Sequence, residues 1–550
     1  MEEITRRNFL KGSAVAAGAA ALTGLVGCNS DGGGGASNAD AAWDFEADVV
    51  IAGTGAAGIT AAIESSNLGS SVIIIEKAPE EYMGGNSRVA MQSFWTPTDA
   101  DDGVLYIKEV AGDHLDGQDD DYLRKFCEYA SNLPEWYEDT TGLAVIGHET
   151  AEYPIVEHAA VSKVSWLEEG NGYMRTWNGL RDTAYELDNI TWMFETPLTD
   201  LVFDEDGACI GIEAEQDGAP IRIKAKQGVC LATGGFENND EMKRNYLRHP
   251  SDVATFFCGT PYNTGDGQNI AIKNGLKLWH MNNCTQGCFT GTHYPGVTEE
   301  GWENIALGNE PASDYGWLWL DKYGKRFMNE QRGGQHGMAR QDMFYFDGKK
   351  LEWPRLPMWL FFDQQCRENA NFGKYSTYDQ WLSMIGGYTW DPQLNDAIEA
   401  GLCFQGDTVE DIAEKMGIDP DSLKAELERY DTYCTQGFDP FGKVGGSVKA
   451  ELNPESQTTD TVEYMRHLEP PYYAIQIYPI MVNTQGGPQH DKNRQLMRVD
   501  GTLVPRLYGA GECGSIWGWC YQGGANFGEC MVSGRISAEE ITAQPRWDEA

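Results

Sequence analysis

Ala47-Asp-Val-Val-Ile-Ala-Gly53-Thr-Gly55-Ala-Ala-Gly58 leads directly into Ile59 to Leu68 and then into Ser71 to Glu76. The run from Ala47 to Ala52 is apolar and short, as expected of a strand buried on both faces of a parallel sheet. Residues 59–68 read as a helix and Ser71 to Ile75 as a second strand that ends at Glu76. Each glycine has its own task in such a unit. Gly53 makes the tight turn, Gly55 lets backbone approach a pyrophosphate, and Gly58 lets the helix lie close to the strand. The helix N-terminus then faces the phosphates, and Glu76, 18 residues after the last glycine, is placed to accept the ribose hydroxyls. The spacing predicts a dinucleotide site in a Rossmann-like α/β fold, with Ala57 and Lys77 among the positions that touch the cofactor.

Other glycine-rich loops favour FAD over NAD. Gly84-Gly85-Asn86-Ser87 follows the second strand and can bring backbone amides to phosphate and ribityl chain. Thr199-Asp-Leu-Val202-Phe203, Asp206-Gly207 and Gly228-Val-Cys-Leu-Ala-Thr233-Gly234-Gly235 form a strand, turn, strand pattern that returns to the sheet. Leu507-Tyr-Gly-Ala-Gly511-Glu512 and Gly523-Gly524-Ala-Asn526-Phe527-Gly528 are two further loops, the second opening a helix through Arg535. Val202, Thr233, Gly234, Gly235 and Asp266 join the expected cofactor contacts.

The 550 residues carry 41 Lys and Arg against 84 Asp and Glu, a formal charge of −43. Such a field repels phosphate backbones and anionic lipid, which excludes a nucleic-acid binder or a polybasic membrane protein. With 41% hydrophobic residues, the chain is not expected to be disordered. Arg6-Arg7-Asn-Phe9-Leu10-Lys11 and the Ala-rich run that follows look like a twin-arginine export signal, and Leu25-Val26-Gly27-Cys28 like a lipoprotein cleavage box. Residues 1–27 are therefore expected to be the signal, Cys28 a lipid-bearing N-terminus, and residues 28–44 a flexible tether. Removing Arg6, Arg7, Lys11, Glu2 and Glu3 with the signal leaves 38 basic and 82 acidic residues, a net −44. The acidity belongs to the exported body.

Taken together, the motifs from Ala47 to Ile541 resemble the flavoprotein family of soluble fumarate reductases, urocanate reductase and 3-ketosteroid dehydrogenases, closest to exported enone and enoate reductases. The resemblance implies a discontinuous Rossmann-like FAD-binding domain, residues 45–240 and 455–550, with an inserted α+β substrate-capping domain at 241–454. Helical stretches at Thr408 to Met416 and Asp421 to Thr435 fit an α-rich layer there. It also implies that Glu512 binds the ribityl hydroxyls and that Asn526 and Phe527 offer backbone to the flavin pyrimidine. Their other reading is helix capping and packing.

Fumarate reductases of this family hold a dicarboxylate with His and Arg and use an Arg as proton donor. Gly324-Lys-Arg326-Phe327-Met-Asn329-Glu330 matches the family's segment, yet Gly334 stands where the acid Arg is expected. Tyr521 replaces a carboxylate-binding Arg, Asn483 replaces a His, and the other His position falls near Gly287. A dianion without fixed cations is costly to desolvate, so fumarate is a poor substrate candidate. Tyr521 matches the ketosteroid dehydrogenases instead. There a phenol O–H and a backbone N–H, here Gly524, point at a substrate carbonyl and stabilise the enolate formed as hydride passes between flavin N5 and the β-carbon. Arg332, His336 or a tyrosine of the capping domain is the candidate proton donor.

The expected activity is reduction of an α,β-unsaturated carbonyl compound by an exported, lipid-anchored FAD oxidoreductase. Its electrons would come from an external donor, by resemblance a membrane-bound cytochrome c in anaerobic respiration. The alternatives are a ketosteroid-type dehydrogenase running the reverse reaction and a non-catalytic flavin electron carrier. Trp317, Trp319, Trp517 and Trp519 are candidates to line a flat apolar pocket, although scattered Trp is more often core. The 13 cysteines show no CxxC pair and no CxxCH box, which favours buried thiols and no metal site over a cluster drawn from Cys258, Cys284, Cys288 and Cys520.

Overall fold

The strand Phe45–Ala52 organises the first sheet because both of its faces are apolar. Val49 and Ile51 join one hydrophobic cluster with the helix Ala56–Asn67, and Val50 and Ala52 join another on the opposite face with the helix Asp266–Lys273. Period-two alternation of two apolar sets is how a strand buried on both sides divides its residues. Strands Ala219–Leu231 and Val72–Ile75 flank it in parallel, and Leu503–Gly509 and Ile190–Met193 extend the parallel array. Gln495–Met497 forms one edge, and Leu198–Phe203 and Cys209–Gln216 add an antiparallel pair on Ala219–Leu231. The parallel strands thus come from both ends of the chain, as an α/β FAD-binding fold requires.

The computed structural model describes residues 42–168, 175–247, 259–293, 304–306, 316–330, 336, 342–370, 372, 391–443 and 465–548, with backbone alone at 287–289, 293 and 304–306. The helix expected at 59–68 is Ala56–Asn67, the strand expected at 71–75 is Val72–Ile75, and the helix after Gly524 is Ala525–Thr542. The signal and tether lie outside the described residues.

A second sheet is antiparallel. Its order is Asn304–Ala306, Cys284–His293, Tyr472–Thr484, Met358–Asp363, Trp317–Leu320, with Cys403–Gly406 also paired to Tyr472–Thr484. The helices Val409–Met416 and Pro420–Gln436, expected from the sequence, cover one face and are capped by the Thr408 and Asp419 side chains. The inserted region is therefore sheet with helices on it rather than an α-rich layer. Its central strand, Tyr472–Thr484, lies beyond residue 454, because its partners at 284–293 and 358–363 cross from either side.

The segment Arg326 to Glu330 anchors this layer. Arg326 Nε and Nη2 donate to the two Glu330 oxygens at 2.8 and 3.0 Å, and Nη1 donates to Asp439 Oδ1 at 3.0 Å. Lys443 Nζ lies 3.3 Å from Glu330 and donates to the Trp317 carbonyl at 2.9 Å. All four side chains are buried, so two positive and two negative charges compensate one another. Burial alone would raise the Glu330 carboxyl, but Arg326 and Lys443 overcome it and hold the group at about 2. Glu330→Gln should leave two buried cations facing one anion and cost about 3–5 kcal/mol in denaturant unfolding at neutral pH. Because the folded value is depressed, this contribution is present above the ordinary Glu value of about 4.3 and fades as pH falls toward 2. The gap between wild type and Glu330→Gln should narrow over that window.

Candidate functional site

Four parallel strands end at one cleft. Phe45–Ala52 delivers Gly53, Val72–Ile75 delivers Glu76, Ala219–Leu231 delivers Thr233 and Gly234, and Leu503–Gly509 delivers Glu512. The carboxyl ends of such strands are where open α/β sheets bind ligands. The cleft, open to solvent, spans about 730 Å³ of unfilled space and is also lined by Gly55, Ala57, Lys77, Gly85, Asn86, Ser87 and Asp266.

The glycine turn is sterically obligatory. Gly53 has φ +108°, and a Cβ there would lie 2.3 Å from the Ala232 carbonyl oxygen; a Cβ at Gly58 would lie 1.9 Å from the Gly53 oxygen. Gly58 therefore acts by bringing the helix onto the turn and does not itself face the cleft. The Ala56 N–H donates to Ser87 Oγ at 2.9 Å, which fixes the Gly84-Gly85 loop over the helix N-terminus. Glu76 accepts from the Thr54 N–H at 3.1 Å, the Thr54 hydroxyl at 2.5 Å and the Ala78 N–H at 2.9 Å. Its orientation at the cleft wall is set by backbone before any ligand arrives. Lys77 and Asp266 are bound to each other at 2.7 Å.

At the other end of the cleft, Asn86 Nδ2 donates to Glu512 Oε2 at 3.4 Å. Glu512 Oε1 and Glu237 Oε1 both accept from the Thr484 N–H, at 3.0 and 2.6 Å, and a Cβ on Gly235 would meet both carboxylates. Burial, followed by the Glu237 charge, pushes the Glu512 carboxyl well above the ordinary carboxylate range. Glu512 thus holds its proton more tightly than a solvated carboxyl would.

Beyond this pair, Gln485 Nε2 lies 3.4 Å from Asn526 Oδ1, in the first turn of the helix Ala525–Thr542. Gln485 Oε1, Asn526 Nδ2 and Asn483 Oδ1 are buried and have no partner among the described residues. Orphaned donors and acceptors of this kind, next to an open glycine cradle, fit the polar edge and phosphates of FAD. Phe527 is buried in the first hydrophobic cluster, so its side chain is packing.

Tyr521 and Gly524 sit on the turn that opens this helix. Gly524 has φ +85° and is the N-cap; among the described residues nothing accepts its N–H. The Tyr521 ring lies 4.6 Å from the His336 ring and 6.2 Å from Trp517, centroid to centroid. His336 Nδ1 is 3.0 Å from both oxygens of Glu152, whose Oε2 also accepts from the Gly523 N–H at 2.6 Å. The expected pair of Tyr521 and His336 is therefore brought together, and Arg332 and Cys258 lie outside the described residues.

Three expectations change. Val202 is buried within its strand opposite Gly211, and Thr196 and Leu198, at the start of that strand, line the cleft instead. Trp317 and Trp319 are fully buried in the core of the second sheet, in edge-on contact with each other, while Trp519 stacks on His114 at 4.7 Å. Trp517 lies 6.2 Å from Tyr521, centroid to centroid. Thr54, Tyr82, Thr260, Tyr262 and Asn263 also line the cleft without having been singled out, and Glu152, Glu237 and Gln485 were missed. Glu237 follows Gly234-Gly235-Phe236 directly, a signal that was available; Glu152 had none.

Several known proteins are similar to this chain along most of its length. The chain is 26% identical to 3-oxosteroid 1-dehydrogenase of Mycolicibacterium smegmatis, over 90% of this chain and 97% of that protein. It is 25% identical to the acrylate reductase flavoprotein subunit of Shewanella woodyi, over 97% of each chain. The crystal structure of 3-ketosteroid Δ1-dehydrogenase from Sterolibacterium denitrificans in complex with 1,4-androstadiene-3,17-dione shares the fold, with a TM-score of 0.76, 22% identity and coverage of 90% of this chain and 99% of that one. Residues 3–23 match the twin-arginine translocation pathway signal sequence, and among the described residues no helix is long and apolar enough to cross a membrane. Residues 48–527 match the FAD binding domain family, so the chain belongs to that family and is an FAD-dependent oxidoreductase acting on CH–CH or C=C bonds.

Proposed function

We propose that the protein is an exported reductase of an α,β-unsaturated carbonyl compound other than fumarate, holding the substrate carbonyl with the Tyr521 hydroxyl and the Gly524 N–H. The observation that carries this assignment is the turn itself. Tyr521 and the Gly524 N-cap share one helix N-terminus that has no acidic residue in its first turn and no side-chain cap, and His336 lies against Tyr521. A helix N-terminus favours negative charge as it develops on the carbonyl oxygen. FAD, when bound and reduced, supplies the hydride that the β-carbon receives. The chain's part is to hold the carbonyl, to stabilise the enolate oxygen and to deliver a proton to the α-carbon, for which His336, beside Tyr521, is the candidate.

The neutral groups here argue against a dicarboxylate. Asn483 and Tyr521 stand where related fumarate reductases have His and Arg, and the Glu152 carboxylate already pairs with His336. A second substrate carboxylate would be desolvated without compensation. Trp517 and Trp95, 6.4 Å apart edge to face, add apolar surface behind Tyr521. Running in reverse, the same groups would desaturate a ketone, and the relationship to 3-oxosteroid 1-dehydrogenase favours that second reading.

Electrons for reduction would come from an external donor, a membrane-bound cytochrome c, steered by the acidic body of net −44. Cys28 would carry a lipid anchor at the outer face of the membrane. Tyr521→Phe should keep its full FAD content by absorbance while turnover with an unsaturated carbonyl falls by roughly 100-fold or more; undiminished turnover would remove Tyr521 from the site. Mass spectrometry of the mature protein should find a lipid-modified N-terminus at Cys28, and a mature protein that begins elsewhere would end the anchor assignment.

A further inference from the structure

We infer that Glu152 is a positioning residue that orients His336 as proton donor and ties it to the turn bearing Tyr521 and Gly524. This rests on the function proposed above. Glu152 sits in the loop after the strand Val145–Glu149, far in sequence from both partners. Its carboxylate meets three groups at once. It accepts from the His336 backbone N–H, lies 3.0 Å from His336 Nδ1 through either oxygen, and accepts from the Gly523 N–H at 2.6 Å. The loop is fixed in turn, because the Glu152 N–H donates to Gln522 Oε1 at 2.9 Å and the Tyr106 hydroxyl donates to the same oxygen at 2.6 Å. Tyr153, the next residue, reaches the carbonyls of His336 and Tyr521 with its hydroxyl.

With Nδ1 held on a carboxylate, Nε2 is the nitrogen left to exchange a proton. His336 would supply the hydrogen that the hydride does not. Its Nε2–H bond breaks as the α C–H bond forms, the enolate collapses to the ketone, and the neutral imidazole, with 19% of its side chain exposed, regains a proton from solvent. Among the described residues, Glu152, Tyr521 and Tyr153 lie against it. Burial, then Glu152, raises the Tyr153 phenol well above its ordinary value, and burial, then Glu152, raises Tyr106 also. Glu152 is thus the group here whose negative charge His336 can use.

Glu152→Gln is the discriminating variant, because an amide oxygen can still accept from the Gly523 N–H while the charge is gone. In holoenzyme of unchanged FAD content, kcat should fall by about 10- to 100-fold with KM little altered. Glu152→Asp, which keeps the carboxylate, should recover most of that loss, and His336→Gln should lose turnover at least as far as Glu152→Gln. An undiminished kcat in Glu152→Gln, or a Glu152→Asp no more active than Glu152→Gln, overturns the inference while wild-type turnover leaves the proposed function standing. Failure of any unsaturated carbonyl to reoxidise the wild type overturns both.

Discussion

Two glycine-opened helices from opposite ends of the chain cross at almost backbone contact, and the site exists because they do. A Cβ on Gly534 would lie 2.5 Å from the Ala57 carbonyl oxygen and 2.9 Å from Thr60 Cβ, and one on Gly511 would lie 2.9 Å from Ala57 Cβ. Ala57 itself is in the first turn after Gly55, and Cys530, one turn before Gly534, lines the cleft. The crossing therefore sets the helix that faces the phosphates against the helix whose N-terminus carries Gly524 and Asn526. Larger residues at the joint would separate the two halves of one cofactor site, with the cost of overpacking added.

The acidic excess has different consequences in different places. In the antiparallel layer, Glu330 and Asp439 are matched by Arg326 and Lys443, and Glu330 stays ionised although wholly buried. Beside the cleft, Glu237 and Glu512 share the Thr484 N–H with no cation among their hydrogen-bond partners in the described residues, and Glu512 is driven toward its neutral form. A neutral acid can donate as well as accept, which suits a cofactor rich in hydroxyls. Beside Tyr521 the Glu152 carboxylate lies 3.0 Å from His336 Nδ1. Compensated charge holds the antiparallel layer, and suppressed charge lines the cleft.

The glycine turn of the cleft was legible because it is local. A buried strand, three glycines, a helix and an acid at its spacing are contiguous, so the unit from Gly53 to Glu76 could be read from sequence order alone. Register was less legible. Val202 and Leu198 lie on the same strand, and only its position relative to the cleft decides that Leu198 meets it. The second sheet was hidden because its central strand, Tyr472–Thr484, pairs with residues 66 to 200 positions away. Trp317 and Trp319 flank the matched Arg326 segment in sequence, yet their strand turns both rings into the core. Glu152 was beyond reach, as one of 84 acids in a loop whose importance comes from what folds against it.

The central claim is that the turn at Tyr521 and Gly524 holds a neutral unsaturated carbonyl rather than a dicarboxylate. It is tested most directly by reducing the holoenzyme anaerobically and following flavin absorbance after adding neutral enones, monocarboxylate enoates or fumarate. Rapid reoxidation by a neutral enone, with little or none by fumarate, is the predicted result. Reoxidation fastest with fumarate would contradict it.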